Sequence, residues 1–445
     1  MDLYDTTTAI IGQKGRRGAL MLTMSTDHPD INDFVNSKRD VGRINHANIS
    51  VRANDEFFKL DTEEKRNTMR LIAENNHATA EPGFLNWQRV EDWHLLSEHD
   101  EYELKTTNPC GEQPLPGNSS CLLGSVNLSN FVNEAFTDEA YIDYNRLSEA
   151  IRIGVIGLNE VLHEGFTLHP LKEQEDMARE FRQIGLGMFA LGDLFIKLGV
   201  TYGSEESLEI SHKIGKLFRD ISIETSVDLV DKYGVYPKFD FESMKKSEYF
   251  KSLPIELQKK IEVKGMANSH TTSIAPTGSI STLYGVGSGG IEPIFSISFT
   301  RTTKSLSGDG DVDYKVYTQV IEELMDAKGI NSEDELPDYC ITSHEIKPIN
   351  RIKLQGVWQE YIDSAISSTI NLREEATVEE IEEIFINAHK YGLKGVTVYR
   401  DGCDRVGILN IDDDKEDNKQ EKKAVNKEMK EDKVIREEDM LDCAT

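Results

Sequence analysis

The stretch NPCGE at residues 108–112, followed by CLLGSVNL at residues 121–128, is the part of the sequence on which the fold and the chemistry depend. Alternate positions of the first stretch carry an amide, a thiol and a carboxyl, and alternate residues of an extended segment point to one face. Pro109 and Gly111 between them favour a tightly turned backbone over a helix. We therefore predict a loop that presents a hydrogen-bonding group, a redox-capable sulfur and a proton acceptor to one ligand. The alternative is a surface turn in which the cysteine is incidental.

Length and composition are those of a folded protein with a large core. The chain has 445 residues, of which 38% are hydrophobic. Its formal net charge of -29 argues against a non-specific grip on nucleic acid, which needs basic surface to neutralise phosphates, so any nucleotide site must be local. We find no basic region before a long apolar run at the N-terminus and no stretch of about 18 apolar residues, so neither a signal peptide nor a membrane span is predicted.

Cysteine usage indicates a reducing compartment. The five cysteines form no C-x-x-C pair and no dense disulfide framework, which suits a cytoplasmic protein with catalytic thiols. Cys340 and Cys403 are expected to be packed or incidental. His28 has no second His or Cys at metal-ligand spacing, so no metal site is predicted.

Residues 273–281, SIAPTGSIS, form a second informative stretch. A hydrophobic strand gives way to small hydroxyl residues and glycine, an arrangement that presents backbone N–H groups and hydroxyls to a phosphate. The lysine of a P-loop is missing, so an ATPase interpretation is weak. A helix start capped by Ser or Thr, without any ligand, remains the alternative.

Other segments are predicted from hydrophobic periodicity. Strands are expected at 48–51 and 395–402, and a loop at 82–85. Helices are expected after Pro29, with Asp30 as a cap, and at the ranges that follow: 62–76, 144–163, 173–198 with glycines inserted, 206–232, 314–327, 357–368 and 377–391.

The 108–112 and 121–128 stretches closely resemble the finger loop of ribonucleotide reductase large subunits. The resemblance implies that Cys110 becomes a thiyl radical that takes the 3′ hydrogen of the ribose, that Glu112 handles the proton of the 3′ hydroxyl, and that Asn108 holds the substrate hydroxyls. Cys121 resembles one half of the thiol pair that reduces the sugar and ends as a disulfide. These residue types suit the roles, because sulfur supports thiol–disulfide steps and a placed carboxylate can act as a general base.

Two further loops resemble family features in the family order. The substrate phosphate loop is matched by six residues, Pro276, Thr277, Gly278, Ser279, Ile280 and Ser281. Gln13 with Arg16 or Arg17 resembles the loop that carries the message from a bound dNTP or ATP effector to the substrate. That loop is one residue shorter than the form expected, and a solvated basic turn is its alternative interpretation.

The last predicted strand indicates the subclass. Reductases that receive their radical from a separate metal-containing subunit carry two consecutive tyrosines here, whereas this sequence has Val398 and Tyr399. Valine cannot relay a radical, so the long-range relay is broken. The pattern resembles the adenosylcobalamin-dependent class II enzymes, in which the cofactor supplies the radical beside the active-site cysteine.

The resemblance also implies the domain organisation. Residues 1–410 are expected to form an α/β barrel, ten-stranded in the intact family, without its N-terminal strands, because almost nothing precedes the effector loop. A second polypeptide supplying the missing part, a fragment and a reorganised site are all open. Residues 411–445 are expected to form a charged flexible tail, in which Cys443 alone could exchange with a thioredoxin-like reductant.

The sequence thus predicts thiyl-radical reduction of ribonucleoside di- or triphosphates to 2′-deoxyribonucleotides. A non-catalytic nucleotide-binding subunit or remnant of a split reductase is the main alternative, because the partner of Cys121 and the effector region are missing. A related radical enzyme acting on another substrate is a third hypothesis, and the phosphate loop argues against it.

Overall fold

A computed structural model describes residues 1–11, 18–39, 43–120, 122–304 and 311–404 of the chain. The strands, in chain order, are β1 (Met21–Ser25), β2 (Asn48–Ala53), β3 (Gly83–Asn86), β4 (Leu104–Thr107), β5 (Pro114–Pro116), β6 (Leu123–Asn127), β7 (Val132–Asn133), β8 (Tyr141–Ile142), β9 (Gly185–Phe189), β10 (Ser298–Lys304), β11 (Asp311–Tyr317), β12 (Thr369–Leu372) and β13 (Gly395–Arg400). They alternate with helices for much of the chain.

The helices, in the same order, are α1 (Asp2–Ile11), α2 (Ile31–Asn36), α3 (Asp55–Phe58), α4 (Glu63–Thr79), α5 (Trp87–Asp92), α6 (Tyr144–Gly165), α7 (Lys172–Phe181), α8 (Leu191–Leu198), α9 (Glu205–Asp228), α10 (Val230–Tyr233), α11 (Phe241–Met244), α12 (Glu248–Lys251), α13 (Ile255–Lys264), α14 (Gly278–Leu283), α15 (Gln319–Lys328), α16 (Pro348–Gln359) and α17 (Val378–Lys390). Short 3-10 turns cover Leu128–Phe131, Phe166–Leu168 and Glu333–Glu335. Within the described residues, none of these helices is long and apolar enough to cross a membrane.

The largest sheet has the order β1-β2-β3-β13-β12. Strands β1, β2 and β3 are parallel, β13 runs antiparallel to β3, and β12 is parallel to β13. Its inner face packs against α4 and α17 through one buried cluster that includes Val51, Phe84, Ile72, Phe385 and Val398. Helices on the face of a largely parallel sheet are the expected α/β arrangement.

A second set of extended segments continues from the first. Strand β6 is parallel to β9, Leu186 of β9 forms a parallel bridge with Thr272, and Ile274 forms one with Ile366. Residues 364–367 then run directly into β12. The extended segment 364–372 therefore pairs with residues 272–274 at one end and with β13 at the other, and so joins the two sheets.

The second set has its own core. Helices α6, α9 and α16 cover it, and their contribution includes Val155, Phe218 and Trp358, all fully buried. The two cores lie on either side of the segment that joins the sheets. The mixed α/β fold predicted from the sequence is confirmed.

Three predicted elements are wrong. Residues 185–189, expected inside a helical stretch, form β9 between α7 and α8, and all five of them are buried. The 82–85 segment belongs to strand β3, not to a loop. The helix expected at 357–368 lies at Pro348–Gln359, and the residues after it are extended. A strand buried on both faces has no period-2 alternation, so periodicity alone does not separate it from a buried helix.

Smaller differences concern helix ends. Asp30 stands at the N-cap of α2, but its side chain makes no capping hydrogen bond. The helix predicted at 314–327 begins only at Gln319, because β11 occupies residues up to Tyr317. The strands predicted at 48–51 and 395–402 are confirmed as β2 and β13.

Gly187 of β9 provides a test of this packing. A Cβ at this position would overlap the carbonyl oxygen of Ser273 on the neighbouring segment, so the backbones would have to separate. We expect Gly187→Ala to lower the free energy of unfolding by about 1–3 kcal/mol. Gly157→Ala, on the exposed side of α6 with no atom within 4 Å of the new Cβ, should raise it by up to about 1 kcal/mol. Urea unfolding measures both, and equal effects would contradict the packing described for β9.

Candidate active site

Residues 108–113, here called the finger loop, form a closed turn between β4 and β5. The Asn108 N–H donates to the Gln113 carbonyl at 3.1 Å, and the Gly111 N–H donates to the Asn108 carbonyl at 3.0 Å. Gly111 has a φ of +81°, which glycine adopts without strain. The predicted tight loop is present, and a turn, not strand alternation, brings the Asn108 amide to the Glu112 carboxyl, with Cys110 between them in the chain.

The finger loop is fixed to the two segments that join the sheets. The carbonyl oxygen of Glu112 accepts hydrogen bonds from the Ala365 N–H and from the Ser273 Oγ, both at 2.9 Å. Ala365 belongs to the extended segment 364–372, and Ser273 lies beside it. The finger loop is therefore attached to buried segments in the interior of the fold.

The side chain of Glu112 is buried with part of its bonding capacity unused. It is 2% exposed, and its Oε2 has no hydrogen-bond partner within the described residues. Burial raises the pKa of the Glu112 carboxyl, while a hydrogen bond from the Asn108 side chain acts in the opposite direction. A buried carboxyl with a raised pKa and an unused oxygen is a candidate proton acceptor.

Cys110 stands at the tip of the loop, partly buried. It lines a cleft together with Ser50, Gly83, Ser368 and Thr397, which come from β2, β3, the joining segment and β13. Apolar residues of the same segments also line it, so the cleft is bordered by both hydroxyl and apolar groups. The sequence analysis predicted two of the strands that supply this lining, β2 and β13, but not the lining itself.

Residues 276–281, here called the phosphate loop, follow directly from the segment that holds the finger loop. Ser273 binds Glu112, and Thr277 comes four residues later, so at most roughly 14 Å of extended chain separates them. Thr277 has a φ of +55°, an unusual conformation for a β-branched residue that is often found at functional sites. Helix α14 begins at Gly278, so the first-turn N–H groups lie at this loop.

The hydroxyls of the phosphate loop hold it in shape. Thr277 Oγ1 accepts from the Gly290 N–H at 2.9 Å and lies 3.4 Å from Ser281 Oγ. Ser281 Oγ in turn donates to the Ser288 carbonyl at 3.3 Å. These hydroxyls therefore serve the loop itself.

Asp193, which the sequence analysis missed, holds the turn at residues 287–288 next to the phosphate loop. Its carboxylate accepts from the Gly287 N–H at 2.8 Å and from the Ser288 Oγ at 2.5 Å, and it is 2% exposed. Burial raises the pKa of this carboxyl, and these hydrogen bonds oppose the shift. The only sequence signal was an acidic residue within the apolar run of α8.

Val398 and Tyr399, the pair of residues that indicated the subclass, lie on opposite faces of strand β13. Val398 is fully buried in the core under the large sheet, and the alternation of the strand places Tyr399 on the other face. Burial raises the pKa of Tyr399 to about 12. Thr397, on the same face as Tyr399, lines the cleft at Cys110.

The remaining predicted positions have different outcomes. Gln13, Arg16, Arg17, Cys121 and Cys443 lie outside the described residues, as does the tail from 411 to 445. Cys340 is packed against the cluster around α15, and burial raises the pKa of its thiol to about 12. Among the described residues, no group of three His, Cys, Asp or Glu side chains is arranged to hold a metal ion.

Glu292, in the glycine-rich turn after the phosphate loop, has a structural role. Its carboxylate pairs with Arg351 of α16 and accepts from the Thr369 N–H at 2.7 Å. Arg351 also donates to Ser368 Oγ at 3.1 Å. The pair ties the turn to the joining segment beside the cleft.

Known proteins resemble the chain over nearly its whole length. Residues 1–70 and 61–399 match the family described as "Ribonucleotide reductase, barrel domain". The vitamin B12-dependent ribonucleoside-diphosphate reductase of Thermoplasma acidophilum is 33% identical over 442 residues, which cover 92% of this chain and 54% of that protein. The corresponding protein of Mycobacterium tuberculosis is 30% identical over 446 residues, which cover 92% of this chain and 60% of that protein.

A solved structure supports the fold. The alpha subunit of the class Id ribonucleotide reductase of Actinobacillus ureae matches with a TM-score of 0.71 and 19% identity, covering 90% of this chain and 74% of that one. The chain spans about half the length of the curated relatives that it matches. By its sequence match over residues 1–399, the chain belongs to the ribonucleotide reductase barrel-domain family.

Proposed function

We propose that this chain carries the catalytic region of a cobalamin-dependent ribonucleotide reductase. The observation that carries the proposal is the buried Glu112 carboxyl on the same closed loop as Cys110. One of its oxygens has no hydrogen-bond partner in the part of the chain that the structure describes. An uncompensated buried carboxyl costs stability, and that cost is accounted for if the carboxyl serves a reaction. The names of the vitamin B12-dependent relatives support the same activity.

In the proposed reaction Cys110, as a thiyl radical, takes the 3′ hydrogen atom of the ribose. Glu112 accepts the proton of the 3′ hydroxyl, and Asn108 holds the substrate hydroxyls. The 2′ hydroxyl leaves as water, and two thiols supply two electrons and two hydrogens and end as a disulfide. One ribonucleotide and two thiols thus give one 2′-deoxyribonucleotide, one water and one disulfide, and the Cys110 hydrogen is returned at the 3′ carbon.

In this proposal a cobalamin cofactor in its adenosyl form would lie beside Cys110. A Cβ placed on Gly111 would meet no atom within 4 Å, so there is open space beside the tip of the finger loop. The hydroxyls of Ser50, Ser368 and Thr397 border the cleft and would hold the adenosyl part. When bound, this cofactor supplies the one-electron oxidation of the thiol.

The substrate would be a ribonucleoside diphosphate, as the names of the relatives indicate. Its phosphates would meet the N–H groups at the start of the phosphate loop. The dNTP or ATP effector loop, with Gln13 and Arg16 or Arg17, would be the site at which substrate choice is set.

Activity would need more polypeptide than this chain. The chain covers 54% and 60% of these two relatives, so the rest of their length, where the thiol partner of Cys121 is expected, is unmatched. We propose that a second polypeptide supplies that part, with a thioredoxin-like reductant to reopen the disulfide and Cys443 as the exchanging thiol. A non-catalytic nucleotide-binding subunit is the second candidate, but it gives no reason for the unpaired oxygen of Glu112.

Substitution of the finger cysteine tests the function. In the presence of adenosylcobalamin, a dithiol and the upstream polypeptide, Cys110→Ala should abolish deoxynucleotide formation while nucleotide binding remains, because alanine cannot carry a radical. Cys340→Ala, another partly buried thiol, should leave turnover unchanged. Chromatography of the products measures turnover. Activity in Cys110→Ala, or none in the native chain under these conditions, would contradict the proposal.

The pH dependence of turnover tests Glu112. A proton acceptor must be ionised, and burial holds the pKa of this carboxyl above its ordinary value, so kcat/KM should fall as the pH is lowered through a pKa higher than 4.5. Glu112→Gln should remove this acidic limb and lower kcat by roughly 10²–10⁴-fold. Glu103→Gln, on the exposed side of the same region, should leave the profile unchanged. An acidic limb that survives in Glu112→Gln would rule out this role.

Binding of the substrate phosphates tests the phosphate loop. Thr277→Ala removes the acceptor that holds Gly290 and should weaken binding of a nucleoside diphosphate by about five- to tenfold, as expected for the loss of one buried hydrogen bond. Thr282→Ala, on the exposed face of α14, should not change the dissociation constant. Calorimetric titration measures both. Equal affinities for the two variants would remove the phosphate loop from the site.

A further inference from the structure

A line of hydrogen bonds leads from the buried interior to the carboxyl of Glu112. Tyr102 donates its hydroxyl to Gln183 Oε1 at 2.7 Å, and Gln183 Nε2 donates to Gln113 Oε1 at 2.9 Å. The Gln113 N–H donates to Asn108 Oδ1 at 3.0 Å, and the Asn108 side chain bonds to the Glu112 carboxyl. The line enters Gln113 at its side chain and leaves at its backbone N–H, so covalent bonds of this residue join its two parts. Each hydrogen bond on either side is donated in the direction of Glu112.

The line crosses three parts of the chain that are distant in sequence. Tyr102 precedes β4, Gln183 precedes β9, and Gln113 closes the finger loop. Tyr102, Gln183 and Gln113 are 4%, 6% and 1% exposed. An unbonded buried amide or hydroxyl costs free energy, so each bond favours one orientation of the side chain that it joins. Gln113 Nε2 has no hydrogen-bond partner within the described residues.

The direction of these hydrogen bonds determines which atom of the Asn108 amide faces the Glu112 carboxylate. Since Gln113 occupies the oxygen of the Asn108 amide, the nitrogen of that amide is directed to the carboxylate. A donor that bonds to the ionised form favours that form. The far end of the line therefore influences Glu112 without touching the substrate.

We propose that Tyr102 and Gln183 are positioning residues that orient the Asn108 amide and thereby set how readily Glu112 gives up its proton. The inference deepens the proposed function, since it rests on Glu112 as the proton acceptor of the reaction. Neither residue contacts the cleft at Cys110.

Other titratable groups nearby are engaged with one another. His270 stacks on Tyr102, with ring centroids 5.2 Å apart, and its Nε2 lies 3.3 Å from His94 Nδ1. Burial lowers the pKa of both imidazoles, that of His270 to about 4, so both are neutral at neutral pH. Asp363 accepts from the Thr271 and Thr272 N–H groups, and Lys394 donates to the Asp363 and Ser364 carbonyls.

Within the described residues, no charge from these neighbours acts on Glu112. The influences on its carboxyl are burial, which raises its pKa, then the Asn108 hydrogen bond and its own N–H, which lower it. A change in the titration of Glu112 on removal of the Tyr102 hydroxyl would therefore reach it through the line of bonds.

Infrared titration of the chain tests this without cofactor, substrate or turnover. The difference spectrum between each protein and its Glu112→Gln counterpart isolates the carboxyl band of Glu112. We expect Tyr102→Phe to raise the midpoint of the Glu112 titration by about half a pH unit, roughly a threefold change in the protonation equilibrium. The reason is that a weaker hydrogen bond from Asn108 to the carboxylate favours the neutral acid. Gln183→Met, which removes two bonds of the line, should shift the midpoint at least as far.

Tyr236→Phe is the matched control. Tyr236 belongs to the same buried cluster as Tyr102 and is 1% exposed, but its hydroxyl is outside the line and has no partner within the described residues. Its midpoint should equal that of the native chain. An unchanged midpoint in Tyr102→Phe and Gln183→Met, or an equal shift in Tyr236→Phe, would overturn the inference.

Turnover separates this inference from the proposed function. In the active assembly Tyr102→Phe should move the acidic limb of kcat/KM to higher pH by the same amount as the infrared midpoint, with little change in KM. A midpoint shift in a chain that never forms deoxynucleotide would leave the line of bonds intact and refute the reductase activity. If the infrared midpoint of Glu112 shifts but the acidic limb of kcat/KM does not, Glu112 is not the proton acceptor of the reaction. That result would overturn the inference.

Discussion

The site depends on two hydrogen bonds that the backbone carbonyl of Glu112 accepts, one from Ala365 and one from Ser273. They fix the finger loop to the two segments that join the sheets, and they leave the Glu112 side chain available for chemistry. Because both donors come from extended segments held on both sides, the loop has little freedom to move away from the cleft. The position of Cys110 follows from that attachment.

The donors are themselves held by a buried polar cluster. The Asp363 carboxylate accepts hydrogen bonds from the N–H groups of Thr271, Thr272 and Ser364, all within 2.9 Å. Lys394, 1% exposed at the start of β13, donates to the carbonyls of Asp363 and Ser364. A buried charge is tolerated where its hydrogen-bonding capacity is used in this way. The cluster joins the segment under the finger loop to the one that leads into the phosphate loop.

Sequence reasoning located the parts whose chemistry is local. The turn at residues 108–113 and strand β13 have composition and turn residues that fix their type, and both lie where the sequence predicted them. The role of residues 276–281 as a phosphate loop stays a prediction. Strand β9 was mistaken for helix because all five of its residues are buried, which removes the alternation that identifies a strand. Asp193 and Gln183 were missed because their roles depend on partners 94 and 70 residues away, as for the Gly287 and Gln113 bonds. No local pattern records such a pairing.

The same segment serves both halves of the proposed chemistry. Ser273 donates a hydrogen bond to the finger loop at Glu112. Thr277, four residues later, accepts one from Gly290 in the turn beside the proposed phosphate site. A displacement of this segment would therefore move Glu112 and the phosphate loop together and would keep the distance between them. Asp193 and the Glu292–Arg351 pair restrain the phosphate side from α8 and α16. In the proposed function, the distance between the site for the sugar and the site for the phosphates is thus set by one short piece of chain, and the helices on either side limit its movement.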